Sequence, residues 1–174
     1  ILSVPPRTPN PASAVAVTFH RTSCGEAAAA LQRAVETLYA EGCRTFLSGM
    51  AAGFDMAAAE TVLACRDRLS GLRLVAVVPF EGHINRFSNS DSERFGRIVA
   101  AADETTVLST RYHRGVYMQR NDYLVSHAAR LVAWFDGSPG GTFYTLRRAL
   151  QAGRRIDNLC PAGPGFPPPM PTLF

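Results

Sequence analysis

The sequence predicts a Rossmann-like α/β domain: a three-layer αβα architecture around a mainly parallel sheet. Three observations carry that expectation. Short apolar runs alternate with longer helix-patterned segments between residues 14 and 160. The run Leu72–Pro79 (LRLVAVVP) is apolar almost throughout, as in a strand buried on both faces. Glycine-rich links join two of the strands to the helices that follow them, at 49–53 and 137–141.

The elements read in order as follows. Residues 1–13 (ILSVPPRTPNPAS) hold four prolines and no period, and read as an extended or disordered lead-in. Ala14–Phe19 is a strand. Glu26–Glu41 is a helix with Ala30, Leu31, Val35, Leu38 and Tyr39 on one face, stopped at Gly42. Arg44–Ser48 is a second strand, and Phe54–Leu69 an Ala-rich helix entered through Gly49 and Gly53. After the strand at 72–79, Ser92–Ala102 is helical with Ser90 or Asp91 as cap. Glu104–Leu108 is a short strand, Val116–Ala128 a helix and Leu131–Phe135 a strand. Thr142–Ala152 is a helix opened by Gly140 and Gly141, and Arg155–Leu159 a last strand. Residues 14–160 thus form one domain, and 161–174 (PAGPGFPPPMPTLF) a Pro-rich tail.

Composition narrows the chemistry. The 174 residues are 47% apolar and 18% charged, enough to build one core. All 18 basic residues are Arg, so a Schiff-base lysine, a pyridoxal phosphate anchor and a Walker-type lysine are excluded. Cys24, Cys43, Cys65 and Cys160 form no CxxC pair, and His20, His83, His113 and His127 show no ligand spacing, so no metal site is expected. No run reaches the roughly 20 apolar residues that span a bilayer. Ala14–Phe19 lacks the basic leader of a signal peptide, so a cytoplasmic location is expected.

In parallel sheets ligands bind beyond the carboxyl ends of the strands. Four such ends carry the candidate site: Thr18-Phe19-His20-Arg21, Ser48-Gly49 through Gly53 and Asp55, Pro79-Phe80, and Asp136 through Gly140, Gly141 and Thr142. Glycine lets a backbone approach a ligand closely, and helix N-termini favour phosphate. Glycines also serve plain turns, and two such loops at one edge carry more weight than either alone. Asp55 reads as a dipole-complementing carboxylate or as a ligand of a ribose hydroxyl. Glu60, five residues on, reads as a structural pairing residue. Arg120 suits a bidentate phosphate contact but reads equally as a solvated side chain, with Asn121 beside it. His20 reads as a structural group or a proton shuttle. Arg111-Tyr112-His113-Arg114, Arg147-Arg148 and Arg154-Arg155 read as solvated surface or as phosphate contacts of a nucleic acid.

Five motifs in order give this chain a resemblance to the YpsA-like proteins of the SLOG superfamily. They are FLSGMAAGFDMAAAE (46–60), VAVVPF (75–80), AADETTVLS (101–109), MQRNDYLV (118–125) and WFDGSPGGTFYTLRRA (134–149). The resemblance spans Val15 to Leu159, in a superfamily that also holds the LOG phosphoribohydrolases and the DNA-processing protein DprA. It implies a Rossmann-like fold, a homodimer, and glycine loops at 49–53 and 139–142 that hold the phosphate or ribose of a nucleotide-like ligand. Which ligand, and whether any reaction follows, the resemblance leaves open. A sensor or binding module is the leading reading. An enzyme on a nucleotide or nucleotide-sugar is the alternative, and DprA-like nucleic-acid binding the second alternative.

Two departures bear on function. Phe19 stands where the family has the glycine of a Thr-Gly-His-Arg run, and its ring is expected to narrow or block that part of the pocket. LOG enzymes carry an Arg-Lys pair and a Glu shortly after the PGGxGT loop; here the pair is Arg120-Asn121, and Phe143, Tyr144 and Thr145 follow Thr142. Without that carboxylate, LOG-type cleavage of a nucleoside monophosphate is not expected.

Overall fold

The computed structural model describes residues 11–19 and 24–166. Six strands form one sheet in the order β4-β3-β2-β1-β5-β6, and every pairing is parallel. The strands are β1 (Ala14–Phe19), β2 (Thr45–Ser48), β3 (Arg73–Val78), β4 (Glu104–Val107), β5 (Arg130–Trp134) and β6 (Arg155–Asn158). The helices are α1 (Cys24–Ala40), α2 (Phe54–Arg66), α3 (Asn89–Ala101), α4 (Val116–Ser126) and α5 (Gly141–Gln151). A 3-10 turn at Pro11–Ser13 precedes β1, and another at His83–Arg86 follows β3; the sequence pattern announced neither. Among the described residues no helix is long and apolar enough to cross a membrane.

Alternation along each strand divides the core in two. Val15 and Val17 of β1, Leu74, Ala76 and Val78 of β3, and Val132 and Trp134 of β5 face the layer of α1, α2 and α3. Ala14 and Ala16, Val75 and Val77, and Leu131 and Ala133 face the layer of α4 and α5. That two-sided burial is why β3 is apolar without alternation. At the edge, β4 alternates half-buried and exposed side chains, and Val107 is exposed.

Element bounds agree with the sequence pattern to within a few residues, and one cap differs. Ser88, not Ser90 or Asp91, caps α3: its side chain accepts from the Asp91 backbone N–H at 3.2 Å and donates to the Asp91 carboxylate at 3.1 Å. Asp91 thereby lies in the first turn, three residues after the cap, bonded to the Ser88 hydroxyl through both its N–H and its carboxylate.

The order of strands fixes the place to look for a ligand. The chain runs outward from β1 through β2 and β3 to β4, then returns to place β5 on the other side of β1. The switch point therefore lies between β1 and β5, paired through Thr18–Ala133 and Phe19–Trp134 at their carboxyl ends.

Candidate ligand-binding edge of the sheet

The two glycine-rich loops reach the same edge but differ in what they leave open. After β2, the Ser48 hydroxyl donates to the Asp55 carbonyl at 2.8 Å and accepts from the Met50 N–H at 3.3 Å. The Asp55 carboxylate accepts from the Ala51 N–H at 3.2 Å. Met50 holds a left-handed φ of 56° with its side chain fully buried, a conformation that costs a non-glycine residue on the order of 1 kcal/mol. Two amides of this loop, those of Met50 and Ala51, are thus taken by nearby side chains. The first turn of α2 already carries the Asp55 carboxylate, so an incoming anion there meets a like charge.

Arg120 closes the same corner. It extends from α4 across the end of β2, donating from Nη1 to the Gly49 carbonyl at 2.5 Å and from Nε to Asn121 Oδ1 at 2.8 Å. Its Nη1 stands 3.9 Å from Asp55 Oδ2, and both residues are 8% exposed. Burial pushes the Asp55 carboxyl above its usual range, against the pull of Arg120 and the Ala51 N–H. Burial lowers the Arg120 pKa, opposed by Asp55 and Tyr117. α2 and α4 lie on opposite faces of the sheet, so this pair ties the two outer layers together over the strand ends. A Cβ on Gly49 would lie 2.8 Å from Arg120 Cδ and 2.9 Å from Asp55 Oδ2, so glycine is what admits both side chains.

The loop after β5 is different. Asp136 Oδ1 accepts from the Ser138 N–H at 2.9 Å, and Gly140 takes φ 151°, ψ −164°, a region that glycine alone occupies freely. α5 then starts at Gly141 with no side-chain cap and no acidic residue in its first turn. The first N–H groups of a helix have no partner within it. Thr142, 5% exposed, sits in that turn. Asn121, 8% exposed, holds its amide nitrogen 3.9 Å from the place a Gly141 Cβ would occupy. That nitrogen donates to none of the described residues, while its oxygen is held by Arg120.

Of the remaining expected site residues, Thr18 is buried in β1, and Pro79 and Phe80 are buried at the exit of β3. Gly53 holds φ 90° as the residue preceding α2. His20 and Arg21 lie outside the described residues. Glu60 is a structural partner, as its spacing implied: it takes both Nε and Nη2 of Arg94 at 2.7 and 2.6 Å, joining α2 to α3.

Two features were not announced by the sequence. His83 is 4% exposed and edge-on to Phe80, Phe87, Phe95 and Tyr117, with ring centroids 4.7 to 6.1 Å away. Among the described residues neither ring nitrogen meets a hydrogen-bond partner in good geometry. Burial, then the charge of Arg120, lowers its pKa to about 4, against a small opposing contact with the Met50 backbone. Its only sequence signal was a place in a Phe-rich stretch after β3. The second feature is the segment after β6. Asn158 Nδ2 donates to the carbonyls of Phe135 and Pro164, and its Oδ1 accepts from the N–H groups of Phe135 and Cys160. Residues 160–166 therefore pack back over the exit of β5, and Pro164 stands 4.0 Å from the place of a Gly137 Cβ.

A separate groove of about 360 Å³ lies on the α1 face beside β5 and β6, lined by Arg33, Thr37, Arg130 and Asp157 among others. It includes none of the expected site residues. Among the described residues no group of His, Cys, Asp and Glu is placed to hold a metal ion.

Comparison with known proteins agrees with this architecture. DNA processing protein A (DprA) from Streptococcus pneumoniae superposes with TM-score 0.61 at 19% identity, over 83% of this chain and 49% of that one. The Helicobacter pylori protein of the same name, described for its single-stranded DNA binding mode, gives 0.61 at 15% identity, over 84% of this chain and 64% of that one. The chain thus spans about half to two thirds of those proteins, and the likeness is one of fold. In sequence it is similar to UPF0398 proteins of two bacteria. The one from Bacillus licheniformis is 26% identical over 131 residues, covering 74% of this chain and 72% of that protein. The one from Halalkalibacterium halodurans is 26% identical over 123 residues, covering 69% and 65%. The sequence profile of the YspA SLOG family, YpsA, matches residues 21–158, which include both glycine-rich loops, the Arg120-Asn121 pair and all of the sheet but β1. By that match the chain belongs to the YpsA family of SLOG proteins.

Proposed function

We propose that this domain is a binding module or sensor for a phosphate-bearing, nucleotide-derived ligand, with the phosphate at the start of α5. One observation carries the reading. The first turn of α5 is uncapped and free of acidic residues, and the buried Asn121 amide is its neighbour. Backbone N–H groups, the helix dipole and one amide donor converge there, at the switch point of the sheet. The loop after β2 serves the same ligand from behind. Its glycine admits Arg120 and Asp55, and the Asp55–Arg120 pair fixes the helix from which Asn121 projects. A ribose hydroxyl within reach of the Asp55 carboxylate completes the proposal, with His20, Arg21 and Thr18 contributing from the end of β1.

No carboxylate follows Thr142 at the helix mouth, where Phe143, Tyr144 and Thr145 stand. A module that binds without cleaving therefore fits better than a hydrolase. The test is thermal unfolding with and without nucleoside 5′-monophosphates. The wild-type chain is expected to unfold at higher temperature with nucleotide but not with the unphosphorylated nucleoside. Gly141→Val, which fills the approach to the Asn121 amide, is expected to abolish the gain while its circular dichroism stays native. Equal stabilisation of wild type and variant would count against the site.

The second reading is nucleic-acid binding, favoured by the likeness of fold to a protein described for single-stranded DNA binding. Phosphate contacts of that kind weaken steeply with salt. Oligonucleotide affinity that is unmoved between 50 and 200 mM salt would dismiss it.

A further inference from the structure

At the exits of β3 and β4 the surface carries an aromatic notch. Phe80, 4% exposed, is its floor. Tyr112 and Tyr117, 49% and 37% exposed, are its walls, with ring centroids 5.6 and 6.3 Å from Phe80 and 6.3 Å from each other. The Arg86 guanidinium lies 4.1 Å over the Tyr112 ring and 5.6 Å from that of Phe80. Tyr112, Tyr117 and the adjacent Met118 are three of the six large apolar side chains exposed among the described residues. Exposed rings that converge on one spot, with a planar cation on them, are the elements of a stacking platform for a heterocycle.

The position of the notch is as informative as its composition. Tyr117 and Asn121 are four residues apart on α4, hence on one face and about one turn from each other. Asn121 faces Gly141, and the Arg120 guanidinium lies 5.9 Å from the Tyr117 ring. One helix therefore links the uncapped start of α5 to the aromatic notch. We infer that the notch of Phe80, Tyr112 and Tyr117, with Arg86 on its rim, receives the planar base of a ligand whose phosphate sits at the start of α5. This rests on the phosphate site proposed above. The contacts that define the notch are ring faces, which stack on any planar base, so it accepts the base as a class. Arg86 is a long, exposed side chain that yields its place on Tyr112 or extends the stack.

Calorimetric titration of the whole chain with AMP, ribose 5-phosphate and inorganic phosphate tests this. AMP is expected to bind at least about tenfold more tightly than ribose 5-phosphate, the share of one stacked base. Tyr112→Ala is expected to remove that advantage and leave ribose 5-phosphate binding unchanged, while Tyr112→Phe retains it. Equal affinity of AMP and ribose 5-phosphate, or a Tyr112→Ala variant that binds AMP as wild type does, overturns the base notch and leaves the phosphate site standing. Failure of all three probes to bind the wild-type chain overturns the phosphate site and the notch together. Tyr112-dependent binding of an oligothymidylate with no AMP binding overturns the inference in favour of a nucleic-acid surface.

Discussion

At the scale of single residues, close approach decides what each position tolerates. A methyl group on Gly49 would press on Arg120 Cδ and Asp55 Oδ2, neither of which can withdraw without giving up its partner. Gly49→Ala is expected to cost about 1–3 kcal/mol, as overpacking of a buried site does, read as a lower urea midpoint at unchanged m-value. His83 supplies a prediction about pH. Its pKa is about 4 in the folded chain against 6.5 in the open one, so the unfolded state binds more protons between those values. Its contribution to stability is complete above pH 6.5 and is lost as the pH falls toward 4, by up to about 1.4 kcal/mol per pH unit. Asp55 acts in the opposite sense, since its carboxyl is raised by burial and its cost is relieved by acid. The difference between wild type and His83→Phe isolates the histidine: the variant is expected to lose less stability from pH 7 to pH 4.5. Parallel curves for the two proteins would show that His83 is not the neutral, buried group described above.

At the scale of elements, the two glycine loops look alike in sequence and do different work. Both were legible as strand-to-helix links at the binding edge, and that placement holds. Their division of labour was not legible, because it depends on Arg120, 71 residues from Gly49 in the chain, taking the Gly49 carbonyl. Arg120 itself read as a phosphate ligand or a solvated side chain; it is buried rather than solvated, and it braces the Gly49 carbonyl. The notch was equally hidden, since Phe80, Arg86, Tyr112 and Tyr117 come from four separate elements and loops. Ser88 was missed as a cap because the reading began α3 three residues late, although the Ser-x-x-Asp spacing was present. After β6, a Cβ on Gly163 would lie 1.9 Å from the Phe135 carbonyl oxygen, a contact no packing can absorb. Gly163→Ala is expected to detach residues 160–166 from the exit of β5 and speed amide exchange at Phe135. Unchanged protection of that amide would contradict the role given to this segment.

At the scale of the whole molecule, the parallel sheet followed from strand–helix alternation and from the apolar, two-sided β3; its switch point depends on the strand order, which the pattern does not carry. The family assignment followed from motifs that fall on the strand ends. The proposed binding surface draws on segments far apart in the chain, and the sequence places four strand ends at one edge without giving their contacts. No release of free base from nucleoside monophosphates is expected, checked by chromatography against a buffer blank. A homodimer is expected, seen as a scattering mass twice the chain's 18.8 kDa. The proposed function puts phosphate at the start of α5 and not at the loop after β2. Amide nitrogen–proton spectra recorded while AMP is added test that claim most directly. The largest shifts are expected at Gly141 and Thr142 and at the Asn121 side-chain amide, with a smaller one at Ala51, whose N–H bonds the Asp55 carboxylate, and Met50 little moved. Shifts centred on Met50–Gly53, or none anywhere at millimolar AMP, would contradict it.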